Sequence, residues 1–184
     1  MRPKASGTYT DQDLVEGCKA GKPALQRALY ERFAGKMLAV AQRYCQDRME
    51  AEDVLHMAFM KVFTRMESYR GGVLEGWIRT ICVREAINHY HNKKRKPLTY
   101  GAEESYQGEE VPAEALSTLS LQDLQRLVAS LPEGARIIFN LYAVEGFDHA
   151  EIADMLGVSV GTTKSQLSRA RKLLQEKLVA TERP

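Results

Sequence analysis

The chain has 184 residues and a formal net charge of +2, and its 44% hydrophobic and 27% charged residues are typical of a globular protein rather than a disordered one. No apolar run approaches the roughly 20 residues that a membrane-spanning helix needs, and the N-terminus lacks the apolar core of a signal peptide. The three cysteines, Cys18, Cys45 and Cys82, are odd in number and widely spaced, which argues against a disulfide framework and favours reduced thiols in a cytosol.

The first half of the chain, residues 1–96, predicts four helices and no strand. Thr10 and Asp13 are spaced as a capping box at the start of a short first helix. Apolar residues at three- and four-residue spacing predict a second helix and then a third from about Met49. After a glycine-containing loop, a fourth helix is predicted over about 74–93. Because no alternating pattern occurs, this half is expected to be an all-α bundle.

Charge is unevenly distributed along the chain. Residues 1–96 carry 18 Lys and Arg against 11 Asp and Glu, residues 97–132 carry 1 against 6, and residues 133–184 carry 7 of each. The stretch 97–118 is also poor in apolar residues and contains glycine and proline. We therefore predict a basic domain over 1–96, an acidic flexible linker over 97–118 and a second domain over 119–184. A basic patch favours an anionic partner such as nucleic acid.

The second domain predicts four more helices. Apolar periodicity resumes at Leu121, and Pro132 is placed to start a further helix that ends near Gly146. The last two helices are predicted to form a helix-turn-helix. The features that support it are a capping box at Asp148 and Glu151, a turn glycine at Gly157 and a second cap at Ser159.

The final helix has two contrasting faces in sequence. The residues expected to face inward are Val160, Thr163, Leu167, Ala170 and Leu174. The residues expected to face outward are Thr162, Lys164, Ser165, Ser168, Arg169 and Lys172. Short hydroxyl groups and long cations are the types that reach phosphates and base edges, so this helix is predicted to enter the major groove of DNA.

Other functions fit parts of this pattern. A structural helical hairpin with a solvated basic face would show the same spacing. A stand-alone repressor or activator would also contain a helix-turn-helix, and an enzyme with a DNA-binding tail would need an active site. No catalytic residues stand out, and His89 and His91, two residues apart, do not share a helix face that would bind zinc.

Four stretches of the chain resemble a bacterial RNA polymerase sigma factor. They are AEDVLHMAFMKVF, SYRGGVLEGWIRTI, REAINHYHNKKRK and LPEGARIIFNLYAVEGFDHAEIADMLGVSVGTTKSQLSRARKLL. The compact arrangement without middle domains resembles the extracytoplasmic-function (ECF) group, and the resemblance covers about residues 10–178. It implies two small helical domains joined by a flexible linker. It also implies that the protein directs promoter recognition, DNA opening and transcription initiation at a specific regulon.

The resemblance assigns a role to each domain. The third helix is expected to dock on core RNA polymerase through Asp53, His56, Met57, Met60 and Lys61. The following loop and the fourth helix are expected to recognise and open the minus-ten element, with Trp77 in the core. The residues expected to contact DNA there are Tyr69, Arg70, Arg79, Arg84, Asn88, His91, Lys93, Lys94 and Arg95. The minus-35 element is expected to contact Thr162, Lys164, Ser165, Ser168, Arg169 and Lys172.

The implied partners are core RNA polymerase, promoter DNA and an anti-sigma protein. The implied location is the cytoplasm. No small-molecule substrate, cofactor or metal ion is expected, because sigma factors do no chemistry themselves.

Overall fold

The computed structural model of the protein describes residues 9–93 and 121–181. Within these ranges every regular element is a helix, which confirms the all-α prediction. The chain divides into two compact units, Met1–Arg95 and Lys96–Pro184. The predicted linker, 97–118, lies outside the described residues. None of the described helices combines the length and the apolarity needed to cross a membrane.

The first unit is a helical bundle. Its α-helices are α1 (Asp11–Lys19), α2 (Pro23–Ala41), α3 (Arg48–Thr64) and α4 (Leu74–Lys93), and a short 3-10 turn lies at Met66–Ser68. Helices α2, α3 and α4 pack on one another in pairs, and α1 packs on α2. The centre is filled by fully buried side chains such as Leu29, Met37, Val54, Ile78 and Ile87. Burial of each such side chain stabilises the fold by about 1.5–3 kcal/mol relative to exposure.

Side-chain caps fix where two of these helices begin. At α1, Thr10 Oγ1 accepts a hydrogen bond from the Asp13 amide at 3.1 Å, and the Asp13 carboxylate accepts one from the Thr10 amide at 2.9 Å. This is the predicted capping box. At α3, Asp47 Oδ1 accepts from the Glu50 amide at 2.9 Å, so the helix begins at Arg48. Each such cap is worth about 1 kcal/mol.

Four α-helices of the second unit lie within the described residues. They are α5 (Leu121–Ala129), α6 (Glu133–Phe139), α7 (His149–Leu156) and α8 (Val160–Thr181), and a π turn at Asn140–Val144 continues α6. The sequence predicted one unbroken helix here, but the Glu145 amide donates to the Asn140 carbonyl five residues back at 3.0 Å. Helices α6 and α8 pack together around Leu131, Ala135, Ala170 and Leu174.

The turn between α7 and α8 follows the predicted capping signals. Asp148 Oδ1 accepts from the Glu151 amide at 2.8 Å, and Glu151 Oε2 accepts from the Asp148 amide at 2.9 Å. Gly157 has a φ of 64°, a conformation in which a side chain would be strained. Ser159 Oγ accepts from the Thr162 amide at 3.0 Å and caps α8. These bonds hold α7 and α8 in a helix-turn-helix, as the sequence predicted.

Candidate nucleic-acid interface

The outer face of α8 presents cations and hydroxyl groups to solvent. Lys164, Arg169 and Lys172 are exposed, and Thr162, Ser165 and Ser168 are half-buried beside them. Neither Lys164 nor Arg169 takes part in an ion pair within the described ranges. The Ser165 hydroxyl donates to the Thr162 carbonyl at 3.1 Å. The face therefore combines exposed positive charge with short polar groups, as the contacts of a major-groove helix require.

The inner face of α8 differs from the prediction at its first residue. Thr163, Leu167, Ala170 and Leu174 are buried as predicted, but the Val160 side chain is 40% exposed. A helical side chain covers the turn that precedes it, and the first residue of a helix has no such turn to cover. Gln166, which the prediction omitted because it is polar, is buried on this face instead.

Three side chains that the sequence analysis did not single out meet beside α8. His149, the first residue of α7, lies with its Nδ1 3.0 Å from Thr163 Oγ1. Its ring stacks on Tyr142, with the ring centroids 4.7 Å apart and the planes 26° apart. The Arg171 guanidinium lies 5.9 Å from the centre of the same Tyr142 ring. The sequence hid this cluster because its members come from three elements and only packing brings them together.

The charge around His149 disfavours its protonation in the free protein. Burial lowers the pKa of the ring from 6.5, and the positive charges of Lys164 and Arg171 lower it further. The Asp148 carboxylate acts in the opposite direction. The ring is therefore mostly neutral at neutral pH.

The loop before α4 is held closed by its own contacts. The Tyr69 hydroxyl donates to the Gly72 carbonyl at 2.6 Å, and its ring meets the Trp77 ring edge-on at 5.4 Å. Gly71 and Gly72 have φ values of 100° and 93°, so the tight path of the loop depends on glycine. Trp77 is half-buried, not in the core as predicted, because its ring supports Tyr69 at the surface.

The basic residues predicted for the minus-ten face are mostly at the surface. Arg70, Arg84, Asn88 and His91 are exposed, and Arg79 is half-buried. The Arg70 guanidinium donates to the Glu67 carbonyl at 2.7 Å. The side chain of Lys93, and all of Lys94 and Arg95, lie outside the described part of the chain.

Four of the five residues predicted for the docking face of α3 are exposed. Asp53 and His56 are exposed, and Met57 and Met60 are 47% and 61% exposed. Lys61 differs, because its ammonium group forms an ion pair with the buried Glu85 of α4. Its charge is thus used to hold α3 against α4. Exposed methionines with polar neighbours are a typical protein-binding surface.

The cysteines and the potential metal ligands do not form a reactive centre in the described residues. Cys18, Cys45 and Cys82 are buried free thiols. Burial raises the pKa of Cys18 to about 11, so the reactive thiolate is scarce. No group of three or more His, Cys, Asp or Glu residues in these ranges is placed to hold a metal ion.

Two family models match the chain, one in each unit. The model of sigma-70 region 2 matches residues 29–96, and the model of sigma-70 region 4 matches residues 121–174. The first match contains α3, the Tyr69 loop and α4. The second contains the helix-turn-helix and ends within α8.

Known proteins align over nearly the full length of the chain. The ECF RNA polymerase sigma-E factor of Haemophilus influenzae is 30% identical over 182 residues, which covers 92% of this chain and 95% of that protein. The RNA polymerase sigma-H factor of Pseudomonas aeruginosa is 28% identical over 180 residues, which covers 91% and 93%. The sigma factor RpoE of Bartonella quintana, solved in complex with the anti-sigma factor NepR, is 26% identical with a TM-score of 0.51; the match covers 85% of this chain and 98% of that one.

Proposed function

The chain belongs to the sigma-70 family, in its ECF group of RNA polymerase sigma factors, and from this premise we propose how its surfaces divide the work of transcription initiation. The protein is an initiation factor that binds core RNA polymerase and directs it to particular promoters. One observation supports the division best. Region 2 and region 4 lie in separate units, and the region 4 unit presents the cationic face of α8 to solvent.

The polymerase-docking face is assigned to the outer surface of α3. Asp53, His56, Met57 and Met60 supply apolar contact and a negative charge within one exposed patch. We leave Lys61 out of this face, because its charge is paired with Glu85. Methionine side chains adapt to a partner surface at low cost, which suits docking on a large enzyme.

The loop at Tyr69 and helix α4 are assigned to the minus-ten element. The loop offers an aromatic ring for an unstacked base, and Arg70 lies next to it at the surface. Arg79, Arg84, Asn88 and His91, followed by Lys93, Lys94 and Arg95, would track the exposed strand. Base stacking on an aromatic ring contributes about 1–3 kcal/mol per base, which helps to offset the cost of opening the duplex.

The outer face of α8 is assigned to the minus-35 element. Arg169 carries the planar fork that bonds guanine in two places, whereas Lys164 carries a single charge suited to phosphate. Thr162, Ser165, Ser168 and Lys172 complete the face. In this proposal the polymerase does the chemistry.

An anti-sigma protein is the proposed regulator. The solved sigma factor RpoE of Bartonella quintana was captured with the anti-sigma factor NepR, and a partner of that class would compete with polymerase for the α3 face. Because such a factor works with the polymerase, the cytoplasm is its proposed location.

In vitro transcription tests this function directly. The full chain is combined with core RNA polymerase and a library of genomic fragments, and the transcript start sites are mapped. We expect shared minus-ten and minus-35 motifs upstream of the starts. A gel shift with and without core polymerase separates a sigma factor from a stand-alone regulator, since a regulator would bind the same fragments without polymerase.

A further inference from the structure

The cluster of His149, Tyr142 and Arg171 carries an inference that rests on the proposed function. We infer that His149 contacts a backbone phosphate of the minus-35 DNA only in its protonated form, so that promoter binding takes up a proton. The cluster lies where α7 begins, against the helix that is assigned to the major groove. In helix-turn-helix proteins the first helix of the pair crosses the DNA backbone.

The hydrogen bonds of Thr163 determine which nitrogen of His149 carries the proton. The Thr163 hydroxyl donates to the Val160 carbonyl at 2.8 Å, so its hydrogen is already used. Its oxygen must then accept from His149 Nδ1, which places the hydrogen of the neutral ring on Nδ1. The second nitrogen, Nε2, is therefore an acceptor in the neutral ring and cannot bond a phosphate oxygen. Protonation turns Nε2 into a donor and adds a positive charge.

The surroundings of the ring favour an anionic ligand. Lys164 and Arg171 approach it from α8, and the Tyr142 ring stacks on it from the π turn. The carboxylate that acts on the ring is that of Asp148, the residue before His149, and it already accepts hydrogen bonds from amides at the start of α7. The Glu151 carboxylate is bonded to the Asp148 amide. Two cations thus act on the ring against a single acidic group, and a phosphate would offset their repulsion of the protonated ring.

The direction of the pH effect follows from proton linkage. Burial and the two cations hold the pKa of His149 below 6.5 in the free protein, whereas a bound phosphate favours the charged ring and raises the pKa. DNA affinity should therefore rise as the pH falls between these two values. For one proton the increase is limited to about tenfold per pH unit.

The test compares holoenzymes assembled from full-length chains and core polymerase, on a promoter at which transcription has first been demonstrated. Promoter dissociation constants are measured for the wild-type chain and for His149→Gln at about pH 6 and about pH 8, the range in which histidine titrates. The glutamine amide can still donate to Thr163 but cannot take up a proton. We expect the wild type to gain affinity at the lower pH beyond any gain of the variant, and its logarithmic salt slope to steepen by about 0.9. Arg27→Ala, on α2 of the other unit and outside every proposed interface, should keep the wild-type behaviour.

His149→Lys gives a second test that does not depend on the glutamine variant. Because the lysine is charged at both pH values, this variant should bind the promoter tightly at both. It should lack the extra gain in affinity that the wild type shows at the lower pH. The inference is overturned if wild type and His149→Gln respond equally to pH. It is also overturned if the glutamine variant is weaker by one constant factor at both pH values, since that result would assign His149 a role that does not depend on its protonation. A failure of the proposed function appears earlier, as a missing transcript.

Discussion

In the loop before α4, the Tyr69 hydroxyl is hydrogen-bonded to Gly72 and its ring lies against Trp77. On α8, by contrast, the Lys164 and Arg169 side chains are exposed and make no ion pair in the part of the chain that the structure describes. Tyr69, assigned to the minus-ten element, is thus engaged with the protein itself. Lys164 and Arg169, assigned to the minus-35 element, can meet a ligand without first breaking an ion pair within the described residues.

This difference matches the two tasks. A duplex presents its groove edges without changing its own structure, so a rigid helix held by caps at both sides of a turn can read it directly. An unstacked base exists only after the duplex has opened, so the surface that receives it must exchange internal contacts for contacts with DNA.

The largest effect is expected from the loss of polymerase binding, because neither the minus-ten nor the minus-35 surface can then direct transcription. Asp53→Arg combined with Met57→Ala should weaken association with core polymerase by about 2 kcal/mol or more, roughly 30-fold, because both side chains are exposed on the proposed docking face. Co-purification with core enzyme measures the loss, and circular dichroism checks that the fold is intact. Arg27→Ala on α2 is the control, because within the described residues Arg27 pairs only with Glu31 at the surface. Undiminished co-purification of the double variant would remove the docking role from α3.

The closed loop is tested by two substitutions of one residue. Tyr69→Ala should lose about 1–3 kcal/mol of open-complex stability, because it removes the ring on which a base stacks. Tyr69→Phe keeps the ring and removes only the 2.6 Å bond to Gly72, so it should open promoters at least as well as the wild type. Permanganate reactivity of unpaired thymines measures opening, and a gel shift at low temperature measures closed-complex binding. If both substitutions reduce opening equally, or if Tyr69→Ala reduces closed binding as much as opening, the stacking role is wrong.

The outer face of α8 is tested by separate substitutions of its two cations Arg169 and Lys164. Arg169→Ala should cost about 1–3 kcal/mol and relax preference at one base pair, because the guanidinium reads a base edge. Lys164→Ala should weaken all promoters alike and reduce the salt slope by about 0.9, as the loss of one phosphate contact does. Minus-35 variants assayed at two salt concentrations distinguish the two results. A uniform loss with Arg169→Ala would show that it contacts phosphate and not a base.

Local signals account for what the sequence predicted well. The capping boxes at Thr10 and Asp148, and the turn at Gly157, depend on residues within a few positions of one another, and all three are confirmed. The errors at Trp77 and Val160 have another cause. Whether Trp77 lies in the core depends on the loop that folds over it, and whether Val160 is covered depends on the absence of a turn before it.

Contacts between polar groups on different helices could not be predicted from the sequence either, because they also depend on packing between distant segments. Nothing near Lys61 in the chain indicates that its partner is Glu85, because that carboxylate comes from another helix. The sequence predicted no contact for His149. Its contacts with Thr163 and Tyr142 exist only once α7, α8 and the π turn have packed. Periodicity identifies which face is buried, but it does not identify the partner of a polar group.

The smallest expected effect concerns the stability of the second unit without DNA. Because the pKa of His149 is lowered on folding, the unfolded chain binds more protons than the folded one below about pH 6.5. The free energy of unfolding should therefore decrease as the pH falls from 6.5 towards the pKa of the folded ring, and His149→Gln should lack this part of the decrease.

Urea unfolding followed by far-UV circular dichroism reports both units, and the fluorescence of Trp77, the one tryptophan of the chain, reports the first unit alone. We expect the pH-dependent difference between wild type and variant in the circular dichroism signal and not in the fluorescence. Protonation of His149 would then destabilise the free unit but strengthen its complex with DNA, because a bound phosphate adds negative charge beside the protonated ring. A variant that loses equal stability at both pH values would show that stacking on Tyr142 and the bond to Thr163, not protonation, govern what His149 contributes.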